Sequence, residues 1–473
     1  MLTDPSHITI VGGGLTGLSA AFYLHREIQE RNLPITITLL EASERVGGKI
    51  QTTHTHGFTI EGGPDSWLER KGYATQLAID LGLEKDLVNN SVGQSYILRQ
   101  DRLYPIPSGS VMGIPTKWQA VLESELVSEK GKKRAGAELF RSVRSSKSDQ
   151  SVRNFFQDRF GREWVDQVME PLLSGVYGND IEQLSLRSTF PQYEGLLEQY
   201  GSLITAMRQT RTKSAGTVTS KGMFQTLRSG LESLVHQLED VLPTGLIQKN
   251  AAVDSVIRTA GHYRIFLQDG RAFDTDQILF TTSHPVTQKV LGRYIELPSL
   301  QHASPSSVAT VALGFDTKNV QIELPGTGFV IPRKEGYRIT ACTWLHKKWP
   351  HTTPEGKVLL RCFVGRSGDD LLASRSEDEI IQIALEELAR VQSLQINGEP
   401  EIAVVEKLLN SRPPYEVGHQ EWLQDTRNRL SNVLPDIYLA GSFYEGIGLP
   451  DCIQQGKKAV SEIIESLCLK VLH

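Results

Sequence analysis

Cysteine is scarce and scattered: the four thiols of this 473-residue chain, Cys342, Cys362, Cys452 and Cys468, form no CxxC pair. Such spacing argues against a disulfide framework or a zinc site and points to a reducing cytoplasm. Long hydrophobic runs are missing as well. No uninterrupted apolar stretch reaches the roughly eighteen residues that a membrane-spanning helix needs. Met1-Leu2-Thr3-Asp4-Pro5 lacks a basic region followed by an apolar core, so no secretory signal is expected. Nor is there an excess of positive charge: the formal net charge is −5, which argues against a nucleic-acid partner. No internal repeat is evident. With 39% hydrophobic and 22% charged residues, the remaining class is a soluble globular chain long enough for two or three domains.

The most informative stretch is Ile8-Thr9-Ile10-Val11-Gly12-Gly13-Gly14-Leu15-Thr16-Gly17-Leu18. A β-branched run breaks into Gly12-x-Gly14-x-x-Gly17 and continues with helical apolar spacing, which reads as strand, tight turn and helix. Gly12 permits the turn, Gly14 lets a pyrophosphate approach the backbone, and Gly17 lets helix and strand lie close. Gly13, Leu15 and Thr16 complete the turn, and the helix N-terminus offers its free N–H groups to phosphate. A second β-branched run ends at Glu41, 24 residues past Gly17. A carboxylate there accepts ribose hydroxyls and repels a 2′-phosphate. Directly after it, Glu41-Ala42-Ser43-Glu44-Arg45-Val46-Gly47-Gly48-Lys49 adds a second glycine pair beside cations. A nicotinamide dehydrogenase needs no second close-approach loop at that point; a longer cofactor with a buried flavin ring does.

Further along, glycines ahead of Pro64 allow a tight bend, and Asp65 and Ser66 offer polar contacts either to a cofactor or within a surface turn. His54 and His56 sit two apart, a spacing that fits one strand face or a polar hairpin edge, and no third ligand is evident, so no metal is expected. Residues 104–109 and 113–115 read as loops and 152–176 as mainly helical. Between Lys130 and Lys147 stand seven cations (Lys130, Lys132, Lys133, Arg134, Arg141, Arg144 and Lys147) and one acid, Glu138. Such a cluster steers an anionic ligand, rests on anionic lipid, or is a solvated helix face. Residues 210–221 read as a loop. The spacing of Phe224, Leu227, Leu231, Leu234 and Leu238 predicts one amphipathic helix. Runs at 253–257, 262–267 and 277–282, with an Asp269-Gly270 turn, predict a meander covering the nucleotide sheet. Strands at 308–315 and 358–364 and a helix over 378–391 suggest an α+β unit. Near the end, a buried strand run over 437–442, a glycine loop over 446–452 and a helix from Ile453 through Val460 form a second glycine-loop site, with Ile447, Gly448 and Leu449 suited to the ribityl and pyrimidine parts of FAD.

Three segments, Glu61-Gly62-Gly63-Pro64-Asp65-Ser66, Glu170-Pro171-Leu172-Leu173-Ser174-Gly175-Val176-Tyr177 and Tyr444-Glu445-Gly446-Ile447-Gly448-Leu449-Pro450-Asp451-Cys452, resemble the protoporphyrinogen oxidase family within the flavin amine oxidase superfamily. The likeness runs over nearly the whole chain and is strongest to the soluble Gram-positive bacterial branch, which acts on coproporphyrinogen III. It implies an α/β protein with a Rossmann-like FAD-binding domain of discontinuous segments (1–72, 221–285 and 433–473). An α+β substrate domain (73–97, 210–220 and 286–432) and a mainly helical insert (98–209) would complete it. Implied FAD contacts are Gly12, Gly13, Gly14, Leu15, Thr16 and Gly17; Glu41 and Ala42; Gly48 and Lys49; Gly63, Pro64, Asp65 and Ser66; Val253; and Ile447, Gly448 and Leu449. The flavin would be non-covalent, the partners a porphyrinogen and molecular oxygen, and the place cytoplasmic with a peripheral contact on the inner membrane face. A reduced tetrapyrrole gives up hydride easily because its pyrrole nitrogens feed the developing cation, so positioning matters more than a strong base. Its carboxylates favour nearby Arg or Lys, and Lys71 is the candidate substrate contact, its alternative being an exposed helix-start charge. One departure is Leu408, where similar sequences often carry Trp ahead of the Pro-Pro-Tyr segment. Rival readings are an amine oxidase or carotenoid-type desaturase and a non-catalytic flavin sensor.

Overall fold

The computed structural model describes residues 5–91, 93–141, 148–214, 222–259, 261–298, 305–368 and 371–470. Its centre is a parallel five-stranded sheet in the order Ile247–Gln248, Ile35–Leu40, Ser6–Val11, Gln277–Phe280, Ile437–Leu439. Parallel strands covered on both faces need near-continuous apolar runs, and Ile8, Ile10, Leu39, Ile278, Leu279 and Phe280 are fully buried. Helix Leu15–Arg31 starts where the first strand ends and packs with Glu232–Val241 and Leu449–Lys470 over one face. Leu18, Leu24, Leu234, Leu238, Ile453 and Ile463 fill that contact, each side chain contributing about 1.5–3 kcal/mol.

A second, seven-stranded sheet runs Ile402–Arg412, Ser306–Asp316, Lys357–Val364, Ile339–Trp344, Gly328–Val330, Ser95–Arg99, Arg102–Pro105. It is antiparallel except where Gly328–Val330 meets Ser95–Arg99. Helix Glu377–Ala389, started by a Ser376/Glu379 capping box, lays Ile380, Ile383, Ala384 and Leu388 on this sheet. A helical body, including Val152–Phe160, Glu170–Tyr177, Gln192–Tyr200 and Leu203–Ser214, surrounds Phe156, Phe160, Trp164 and Val168.

Four expectations change. Phe224–Leu227 is a strand between Leu87–Asn89 and Trp67–Leu68, and the helix begins only at Glu232. Gly230, at φ +93°, turns the chain between them, because apolar positions three and four apart fit a strand plus turn as readily as one helix. Gln277–Phe280 is not part of the meander. The hairpin partner of Tyr263–Leu267 is Ala272–Thr275, and Gln277–Phe280 enters the parallel sheet between Ser6–Val11 and Ile437–Leu439. Tyr104 and Pro105 close the edge strand Arg102–Pro105, where a missing N–H is tolerated. Residues 210–214 continue the helix Leu203–Ser214, and the rest of the expected 210–221 loop lies outside the described residues.

Candidate active site

Helix Leu15–Arg31 begins at Gly14 with extended backbone, no side-chain cap and no acid in its first turn. Its leading N–H groups are therefore available to an anion. A Cβ built on Gly14 meets nothing within 4 Å, although Gly13, Leu15, Thr16 and Gly17 around it are buried. That is an open cradle against backbone, the shape a pyrophosphate requires. Gly17 has the opposite surroundings: a Cβ there would overlap the Gly12 carbonyl oxygen. Gly12 sits at φ +110°, fixed by the Thr281 hydroxyl donating to its carbonyl at 2.9 Å.

Glu41 Oε2 accepts from the Gly13 N–H at 2.8 Å, while Oε1 accepts from the Ser43 N–H and hydroxyl, each at 2.8 Å. Gly13, Glu41 and Ser43 are thus tied into one hydrogen-bonded unit, with Ala42 exposed beside it. The Ala251 N–H donates to the Glu41 carbonyl at 2.8 Å, which brings the start of Val253–Arg258 alongside. Gly47 donates to the Gly13 carbonyl at 2.8 Å, and Gly48, at φ +58°, lies against Gly14. Gly441 abuts Thr16, and its N–H donates to Gln455 Oε1 at 2.9 Å. Gln455 Nε2 also holds the Gly446 carbonyl at 3.2 Å, setting Ile447 and Gly448 at the start of helix Leu449–Lys470. Three stretches separated by about two hundred residues each therefore meet around the Gly14 turn.

Lys49 and Lys71 reach the C-terminal loop from its two sides. Lys49 Nζ donates to the Ser411 carbonyl and to Ser442 Oγ at 3.4 Å, and burial lowers its pKa. Lys71 forms an ion pair with Asp451 at 2.6 Å, so its charge is matched within the protein. Leu408 lies on strand Ile402–Arg412 opposite Val308.

The Gly63–Ser66 loop is held from behind by residues that no motif announces. Arg361, 1% exposed on strand Lys357–Val364, donates to the Gly63 carbonyl and lies 3.7 Å from Asp65. Lys348 approaches the same carboxylate at 3.3 Å, and the Thr310 hydroxyl holds the Gly62 carbonyl at 2.8 Å. Burial pushes Asp65 up, but Lys348, Arg361 and the Ser66 hydroxyl outweigh it and hold the carboxyl well below its usual range. Behind the loop is a cavity of about 10 Å³, room for one water, lined among others by Glu61, Asp65, Trp349, His351 and Arg361.

Glu61, 8% exposed, accepts from the Leu231 N–H at 2.7 Å and from Thr52, yet burial dominates and raises it to about 7. The folded chain therefore keeps a proton between pH 4.5 and 7 that the unfolded chain has released, and stability declines as pH rises through that window. The full loss above pH 7 is roughly 3 kcal/mol. Glu61→Gln is expected to flatten this dependence in denaturant unfolding at pH 5 and pH 8. A variant with the wild-type slope would contradict the assignment.

The sequence pattern of the flavin-containing amine oxidoreductase family matches residues 15–464. The chain belongs to that family. Its cofactor is FAD, and the open Gly14 cradle, the Glu41 acid and the converging loops fit that group. Over 470 residues the chain is 46% identical to the coproporphyrinogen III oxidase of Bacillus subtilis (strain 168), covering 99% of this chain and 100% of that one. Its identity to the coproporphyrinogen III oxidase of Staphylococcus aureus (strain NCTC 8325 / PS 47) is 41% over 468 residues, covering 97% and 99%. A crystal structure from Exiguobacterium sp. 255-15, assigned as a protoporphyrinogen oxidase, superposes with a TM-score of 0.87 at 37% identity, covering 98% and 99%. The resemblance in sequence and the α/β fold class are borne out by this family membership.

The flavoprotein's basic insert is less free than its composition suggests. Lys132 is buried and donates to the Leu122 carbonyl and to Glu129, Arg134 holds the Arg159 carbonyl, and Arg141 pairs with Asp158. Lys130 and Lys133 are exposed, whereas Arg144 and Lys147 lie outside the described residues. Glu138 is fully buried, pairs with Arg159 and accepts from Ser202, Leu203 and Ile204 at the start of helix Leu203–Ser214. Lys348, Trp349, His351 and Arg361 escaped the sequence reading because they stand some 280–300 residues from the loop they serve.

Proposed function

We propose that this chain oxidises coproporphyrinogen III to coproporphyrin III, with molecular oxygen as acceptor and hydrogen peroxide as co-product. End-to-end similarity to two coproporphyrinogen III oxidases carries the reading, and the cleft built from three chain segments agrees with it. FAD, when bound, supplies the hydride-accepting ring and returns the electrons to oxygen. The chain's own residues then bind, orient and shelter the reactants. Gly12, Gly13, Gly14, Leu15, Thr16 and Gly17 hold the pyrophosphate, and Glu41, Ala42 and Val253 border the adenosine. Gly48, Lys49, Gly63, Pro64, Asp65, Ser66, Ile447, Gly448 and Leu449 surround the ring end. Non-covalent attachment is favoured by Cys452, whose thiol burial raises to about 11, leaving it protonated and a poor nucleophile.

Because the chemistry runs through the flavin, the protein's task is proximity and exclusion of water rather than acid–base catalysis. Lys71, neutralised by Asp451, acts at the mouth of the cleft only by exchanging that partner for a substrate carboxylate. The chain works in the cytoplasm. Among the described residues no helix is long and apolar enough to cross a membrane. Peripheral contact with its inner face would use exposed Lys130 and Lys133 beside Phe140, which is 89% exposed.

An aerobic assay of the holoenzyme with coproporphyrinogen III and protoporphyrinogen IX, following porphyrin fluorescence and peroxide together, tests the reading. Porphyrin formation with matching peroxide is expected, fastest on coproporphyrinogen III. Background rates on both substrates would remove the proposed activity, and preference for protoporphyrinogen IX would reassign the substrate.

A further inference from the structure

Strand Ile402–Arg412 ends on a guanidinium, that of Arg412. Among the described residues Arg412 forms no ion pair, and burial lowers its pKa to about 10 with no carboxylate offsetting it. Its position is nonetheless constructed. The side chain lies across Gly178, at φ +70° behind helix Glu170–Tyr177, and any side chain at Gly178 would overlap the guanidinium. Asn179 Nδ2 donates to the Pro413 carbonyl at 2.6 Å and the Pro414 carbonyl at 3.3 Å, and Asn179 Oδ1 accepts from Ser306 at 3.1 Å. This buried network fixes the backbone directly after Arg412. The residue keeps partial contact with solvent, so a ligand can reach it from outside.

Lys49 stands within electrostatic reach of Arg412: burial first, and then the Arg412 charge, lower its pKa, and its own acceptors, the Ser411 carbonyl and Ser442 Oγ, are neutral. The nearby acids are already matched, Asp451 by Lys71 at 2.6 Å and Glu445 by Arg427 at 2.5 Å. Among the described residues, Arg412 and Lys49 are therefore two desolvated cations that meet no counter-charge. Such a pair destabilises the protein alone and is relieved by an entering anion.

We infer that Arg412, with Lys49 behind it, is the anchor for a carboxylate of the substrate. The anchor rests on the proposed porphyrinogen reading and names the residue that recognises the acid side chains. A cofactor phosphate is the other oxyanion at hand, but its cradle is the Gly14 turn at the end of the five-stranded sheet. Arg412 instead lies between the seven-stranded sheet and the helical body, walled by Gly178 and Asn179. A planar fork suits a carboxylate better than an ammonium does, which makes Arg412→Lys a weaker but active substitute.

The test compares wild-type holoenzyme with Arg412→Gln and Arg412→Lys in three measurements: KM and kcat for coproporphyrinogen III, fluorescence-monitored affinity for the redox-inert product coproporphyrin III, and the Kd for FAD. Arg412→Gln is expected to weaken porphyrin binding and raise KM by about tenfold to a hundredfold, the worth of one charge-assisted hydrogen bond. Its kcat and FAD affinity should stay within about twofold, and Arg412→Lys should recover part of the loss. Thermal melting without porphyrin should show Arg412→Gln at least as stable as wild type, because it removes an unmatched charge. A wild-type KM and porphyrin affinity in Arg412→Gln would overturn the inference while leaving the oxidase reading intact. A selective loss of FAD would overturn it in favour of a phosphate contact. Failure of wild-type protein to bind coproporphyrin III at all would end both.

Discussion

Gly14→Val should yield a folded but colourless protein. The substitution keeps an ordinary backbone, since Gly14 is the N-cap at φ −71°, and its new side chain points into space that no protein atom occupies. What it fills is the cradle, so the pyrophosphate loses its approach to the N–H groups of the following turn. A weakening of FAD binding by at least about a hundredfold follows from the loss of two or more charge-assisted hydrogen bonds. Far-ultraviolet circular dichroism of the apoprotein should match wild type. Gly17→Ala is the contrasting control, because its Cβ would overlap the Gly12 carbonyl and disturb strand–helix packing itself. Visible absorbance after purification and titration with added FAD measure both variants. A yellow Gly14→Val protein with wild-type affinity would contradict the cradle.

Arg361→Met should be the most destabilising single change near the site. It leaves the Gly63 carbonyl without its donor and Asp65 with Lys348 alone, in surroundings where Arg361 is 1% exposed. Breaking one side of a buried charge pair costs about 3–5 kcal/mol. Because the partner loop is Gly63–Ser66, FAD should also dissociate faster. Arg361→Lys should restore part of the stability, since a point charge keeps the attraction but not the fork. Combining Arg361→Met with Asp65→Asn should lose less than the two single changes summed, because no unmatched carboxylate remains. Denaturant unfolding of the holoenzymes with flavin fluorescence as a second signal gives all four values. If Arg361→Met unfolds at the wild-type midpoint, Arg361 does not hold the loop.

Both experiments separate two kinds of information in this chain. Local sequence was enough for the first βαβ unit because each of its signals is set by nearest neighbours. β-Branched residues favour the strand, Gly12 takes φ +110°, and Glu41, which accepts from the Gly13 N–H, follows directly after the very next strand. The C-terminal loop and helix were legible in their order but not in their bounds: helix Leu449–Lys470 begins inside the expected 446–452 loop, ahead of Ile453. Periodicity failed where one pattern served two structures: Phe224 and Leu227 share spacing with a helix but pair as a strand, and the fully buried 277–280 run suited a parallel sheet better than a hairpin.

Residue types and short spacings determined the strand–glycine-turn–helix unit, the acid bonded to it and the family. Which charges find partners was decided only by the tertiary structure. Lys71 meets Asp451 from 380 residues away, Arg361 reaches Asp65 from a distant strand, and Arg412 meets no acid among the described residues. Coulomb energies and desolvation depend on distance through space and on exclusion of water, and neither is written in the order of residues along the chain.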